Sequence, residues 1–94
     1  MEIIEKINWE GKEEEIVLSS LTYGEYKDIK RKSISHRGVD GKITAVRDIE
    51  LHDELCLLKS IRKAPFEITL DNVRKLSKFD GEKLEESVNK INSL

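Results

Sequence analysis

At 94 residues, with 37% hydrophobic and 38% charged side chains, the chain is sized for one domain with a modest core. Seventeen basic against nineteen acidic residues leave a net charge of −2, a balance that disfavours nucleic acid as a partner. The single cysteine, Cys56, excludes an internal disulfide, and the longest apolar run, Leu55 to Leu58, is too short for a membrane span or a signal peptide.

The charge is unevenly placed. Residues 1–15 carry six acidic and two basic groups, whereas residues 27–37 carry five basic groups and one acidic one. The apolar residues are periodic, which argues for a folded chain. In chain order, Ile3, Ile4, Ile7 and Trp9 form a partly alternating stretch, Glu10-Gly11-Lys12 supplies a turn, and Ile16 and Leu18 follow. This predicts a β-hairpin over residues 2–19, with strands at 2–8 and 14–19. An isolated hairpin is marginal in water, so it has to pack on helices.

Thr22 to Glu25 matches a capping box, with Leu21 and Tyr26 spaced as a hydrophobic staple. The helix this predicts runs over about 23–34, with Tyr23, Tyr26, Ile29 and Ile34 in one stripe. Residues 35–46 hold no period. With Gly38, Asp40 and Gly41 they read as an exposed, flexible loop that could contain a short hairpin at Asp40-Gly41. A second helix is predicted at about 48–63, with Leu51, Leu55 and Leu58 on one face, and Ala64-Pro65 ends it. A short third helix, about 70–77, is capped by Thr69. A fourth, about 80–93, carries Leu84, Val88 and Ile91 at i, i+4 and i+7 as a narrow stripe on a surface-lying helix. The expected fold class is therefore α+β: an N-terminal β-hairpin packed on a helix-dominated bundle of three to four helices.

Motifs that carry chemistry are missing. His52 and Cys56 stand four apart on one helix, but two ligands fall short of a zinc site, and neither a CxxC pair nor an HExxH motif is present. Cys56 lies inside an apolar run, as an inert thiol does. Gly38 and Gly41 lack the GK[ST] of a phosphate loop. No catalytic residue, metal or cofactor site is expected, and the chain reads as a non-enzyme. The basic cluster Lys27, Lys30, Arg31, Lys32 and Arg37 suits a solvated helix end, or an acidic protein partner. Helices three and four could form a helix-turn-helix. Glu82, Glu85 and Glu86 on the second would be repelled by phosphates.

The order of features resembles the phage tail assembly chaperones. A strand pair precedes the helix start Leu21-Thr22-Tyr23-Gly24-Glu25-Tyr26. A polar loop then leads to the apolar helix around Leu55-Cys56-Leu57-Leu58. Ile68-Thr69-Leu70-Asp71 follows, and the junction from Leu76 through Asp80 to Leu84 matches the family's Leu-x-x-x-Asp-x-x-x-Leu spacing. The resemblance implies a non-enzymatic chaperone that binds the tape-measure protein while tail-tube subunits gather, in the host cytoplasm, as a monomer or a homo-oligomer. Tyr23, Tyr26, Ile29, Ile34, Leu84, Val88 and Ile91 are the candidate client-binding residues, on apolar faces rimmed by charge; the alternative, favoured for each of them taken singly, is that they fill the chain's own core. Two other readings stand beside it: a small DNA-binding regulator and a structural subunit of a virion.

Overall fold

The structure, a computed structural model, describes residues 1–39 and 41–93, and for Ser35, His36, Arg37, Val39, Ile43 and Thr44 it describes the backbone only. Nine elements follow one another among them: β1 (Glu2–Trp9), β2 (Lys12–Ser19), α1 (Tyr23–Lys32), β3 (Ile34–Val39), β4 (Lys42–Arg47), α2 (Ile49–Ser60), β5 (Ile61–Lys63), α3 (Leu70–Arg74) and α4 (Lys78–Asn92). They form a three-stranded sheet, ordered β1-β2-β5, and a separate two-stranded one, β3-β4. The class is α+β with helices in the majority, as the sequence predicts.

β1 and β2 pair antiparallel from Glu2↔Ser19 to Trp9↔Lys12. The link between them is the pair Glu10-Gly11, with φ of 53° and 79°. Positive φ at both central residues gives the twist that a two-residue hairpin needs; glycine adopts it freely, glutamate at a cost. Alternation then sends Ile3, Ile7 and Trp9 of β1, and Ile16 and Leu18 of β2, to one face. α4 covers that face with Leu84, Val88 and Ile91. Leu57, Ile61 and Val73 close the cluster.

Side-chain oxygens of serine, threonine and aspartate set the helix starts. Thr22 and Glu25 complete the capping box of α1, Asp48 caps α2, Thr69 caps α3 and Ser77 caps α4. Each side-chain oxygen takes a backbone N–H that the helix itself leaves without a partner.

Five expectations are corrected. Helix α1 stops at Lys32, so Ile34 belongs to a strand; Ser33 turns out of helical geometry and its hydroxyl donates to the Lys30 carbonyl at 3.1 Å. α2 stops at Ser60, because Ile61 is extended, buried and paired with Leu18 of β2. α3 ends at Arg74 and not near residue 77, because Lys75 is its C-cap and Ser77 already caps α4. α4 starts earlier than expected, at Lys78, which puts Gly81 inside its first turn. Finally, residues 35–46, read as an exposed loop with room for a short hairpin at Asp40-Gly41, are strand-paired over most of their length, from Ile34↔Arg47 to Val39↔Lys42, with Gly41 at φ 76°; Asp40 itself lies outside the described residues.

That second hairpin projects from the body. Its main contact is α1, and its base is fastened where the Asp48 N–H donates to the Ser33 carbonyl at 2.7 Å. The radius of gyration, 15.0 Å, and the extents of 52 × 28 × 20 Å reflect the projection. A compact domain of this length has a radius of about 12 Å.

Candidate protein-binding surface

The capping box fixes the first turn of α1. Glu25 accepts from the Thr22 N–H at 3.0 Å, and the Arg62 guanidinium approaches the same carboxylate at 3.4 Å. The Thr22 N–H and then Arg62 hold the Glu25 carboxyl below its usual range. Arg62 also donates to the carbonyls of Lys59 and Ser20, so one side chain ties the end of α2 to the entrance of α1.

On this fixed turn Tyr23 is 75% exposed and the Lys27 ammonium sits 5.3 Å from its ring centre. Tyr26 is partly exposed and meets the edge of the His52 ring at 6.0 Å. Ile34 and Ile49 are also exposed, as are Lys30, Arg31 and Lys32 in the last turn of α1. Arg31 is engaged with Asp28 at 3.2 Å. The Arg37 side chain lies outside the described residues.

The seven candidate client-binding residues therefore divide. Tyr23, Tyr26 and Ile34 are exposed, while Ile29, Leu84, Val88 and Ile91 are buried, the last three facing the sheet. The narrow stripe of α4 is a core stripe: α4 has one apolar side, and the sheet needs it. Ile49, 67% exposed at the first position of α2, and Phe79, 75% exposed on α4, were missed by periodicity. Their signal was present, since each falls off the apolar line of its own helix.

The groups considered for chemistry lie together but are not activated. Cys56 Sγ is 3.8 Å from His52 Nδ1, which is also 3.8 Å from Asp53. Burial pushes the Cys56 thiol up, the Asp53 charge adds to this, and Arg47 opposes it weakly. A nucleophilic cysteine needs the opposite shift. These residues border a cleft of about 230 Å³ between α1, α2 and the end of α4, lined also by Leu21, Val88 and Asn92. That is below the usual size of a small-molecule site. Among the described residues no three His, Cys, Asp or Glu side chains are placed to hold a metal ion, and no helix is long and apolar enough to cross a membrane.

A negative region lies where α2 meets α4. Glu85 of α4 is partly buried, and burial followed by the charges of Asp53, Glu54 and Glu82 raises its pKa. The molecule is thus polarised. Residues 27–47 hold seven basic and two acidic groups; the rest of the chain holds ten basic and seventeen acidic. No family model, curated protein or solved structure matches this chain.

Proposed function

We propose that this protein is a non-catalytic protein-binding adaptor of the assembly-chaperone type, serving phage tail assembly with the tape-measure protein as client. The observation that carries the reading is a set of exposed apolar side chains, Tyr23 and Tyr26 on the capped helix α1, Ile34 at the start of the projecting hairpin and Ile49 at the start of α2, together with the exposed Lys30, Arg31 and Lys32 of α1. Apolar anchors rimmed by one sign of charge suit amphipathic helical segments with an acidic flank. The order of motifs, from the Thr22 helix start to the Leu76–Leu84 junction, supports the tail-assembly context. The client surface belongs to α1 and its surroundings, since α4 is committed to the core.

Co-expression with a tape-measure protein from the same gene neighbourhood tests this. The intact chain should keep that protein soluble and co-purify with it. A chain carrying Tyr23→Ala, Tyr26→Ala and Ile49→Ala should fold but leave it insoluble. If the intact chain leaves it insoluble and instead binds duplex DNA with a steep salt dependence, the regulator reading replaces this one.

A further inference from the structure

β1 is an edge strand: β2 lies on one side of it and, among the described residues, no strand on the other. Backbone direction alternates along a strand. The Met1 carbonyl accepts from Ser20 on the β2 side, so the even-numbered residues of β1 turn their N–H and C=O groups outward. Helix α4 satisfies two of these groups. Asp80 accepts from the Asn8 N–H at 3.0 Å, and the Lys83 ammonium donates to the Lys6 carbonyl. Towards the start of the strand, the backbone groups of Glu2 and Ile4 meet no partner among the described residues. The Ile4 side chain is 61% exposed on the outer face of the sheet, directly across from half-buried Val17. Natural sheets usually blunt such an edge, and here only its far half is covered.

We propose that the edge of β1 from Glu2 to Lys6 is a self-association site that pairs antiparallel with the same edge of a second copy, centred on Ile4. The Lys6 carbonyl, which Lys83 contacts, keeps a second lone pair for the Glu2 N–H of the other copy, whereas the Asn8 N–H has one hydrogen and gives it to Asp80. The pairing is isologous, so every contact occurs twice about a two-fold axis. With Ile4 opposite Ile4, Glu2 faces Lys6 of the other copy and Lys6 faces its Glu2. Other registers that bring the outward groups together lose this match. Centring on Glu2 opposes two glutamates, and centring on Lys6 opposes two lysines. Centring on Ile3 places Glu2 against Ile4, and centring on Glu5 places Ile4 against Lys6 and draws in Asn8, which Asp80 already holds. In the matched register, Val17, Ile4, the second Ile4 and the second Val17 form one apolar strip across a continuous six-stranded sheet, ordered β5-β2-β1-β1-β2-β5. Lys6, which already pairs with Glu13 at 3.2 Å in its own chain, then lies between two carboxylates. The site is distinct from the α1 surface and does not rest on the proposed client.

The test is sedimentation velocity on the untagged chain across concentrations up to about 1 mM, with circular dichroism to confirm folding. The expected result is a monomer–dimer equilibrium. Glu2→Lys and Lys6→Glu should each weaken it about tenfold, because each opposes like charges twice. An equimolar mixture of the two variants should restore it, since every pair is then again of opposite sign. Ile4→Lys should remove the dimer and leave the circular dichroism unchanged. A wild-type chain that stays monomeric at every concentration overturns the proposal. So does a dimer that both charge variants leave unchanged, or a mixture of them that fails to associate.

Discussion

The Asp80 carboxylate accepts the backbone N–H of Asn8, seventy-two residues earlier in the chain, at 3.0 Å. Asp80 is 5% exposed, and its own N–H is capped by Ser77 at 3.1 Å. One residue thus joins the capped first turn of α4 to the β1 edge, whose far half it covers together with Lys83. Asp80→Ala should destabilise the fold by about 1–3 kcal/mol, because it strips the partner from the Asn8 N–H. Asp80→Asn keeps an acceptor oxygen and should lose less. Urea unfolding at neutral pH measures both.

The split of the candidate binding residues predicts opposite responses in one set. Leu84→Ala should cost about 2–5 kcal/mol, since its side chain is fully enclosed between sheet and helices. Tyr23→Ala should shift stability by less than about 0.5 kcal/mol, as an exposed site does. Thermal melts of the two variants decide it. A large loss at Tyr23 would mean that the ring is structural.

Glu85 predicts a pH dependence. Its pKa is raised in the folded state, first by burial and then by Asp53, Glu54 and Glu82. The folded chain therefore binds this proton more tightly than the unfolded chain. The resulting penalty is complete above the folded pKa and fades as pH falls towards the unfolded value. Glu85→Gln should raise the melting temperature at pH 7 by about 1–4 °C. The gain should vanish below about pH 4, where both states carry the proton.

The first hairpin carries a correctable fault. Glu10 has φ of 53°, a conformation that asparagine tolerates better than glutamate. Glu10→Asn should stabilise the chain by about 0.5–1 kcal/mol, read as a higher urea midpoint at unchanged slope.

The elements that were legible in the sequence are those with an end signal or a buried face. The Thr22–Glu25 box marked the start of α1, and the alternation through Ile16 and Leu18 marked β2. The β3-β4 hairpin was not legible as strands. It covers no core, so nothing requires its apolar residues to alternate. β5 was hidden because Ile61 also continues the apolar pattern of α2; only its pairing with Leu18 makes it a strand. For the candidate surface, periodicity identified Leu84, Val88 and Ile91 as one face but could not say whether that face met a client or the chain's own sheet. The sheet wins because Ile7, Ile16 and Leu18 leave water only when Leu84, Val88 and Ile91 pack on them beside Leu57 and Val73. The exposed Ile49 and Phe79 carried the complementary signal, apolar residues outside any stripe.

The projecting hairpin also bears on how such a chain can evolve. Among the described side chains, β3 and β4 contribute none to the buried cluster beneath the sheet. Substitutions at exposed positions such as Ile34, Lys42 and Ala45 therefore leave the folding of the body largely untouched while altering the charge and shape of the surface presented outward. Under the proposed binding role, recognition can drift towards a new partner without a matching loss of stability. The hairpin is the part of this molecule where variation is least constrained, and the sheet with α4 is where it is most constrained.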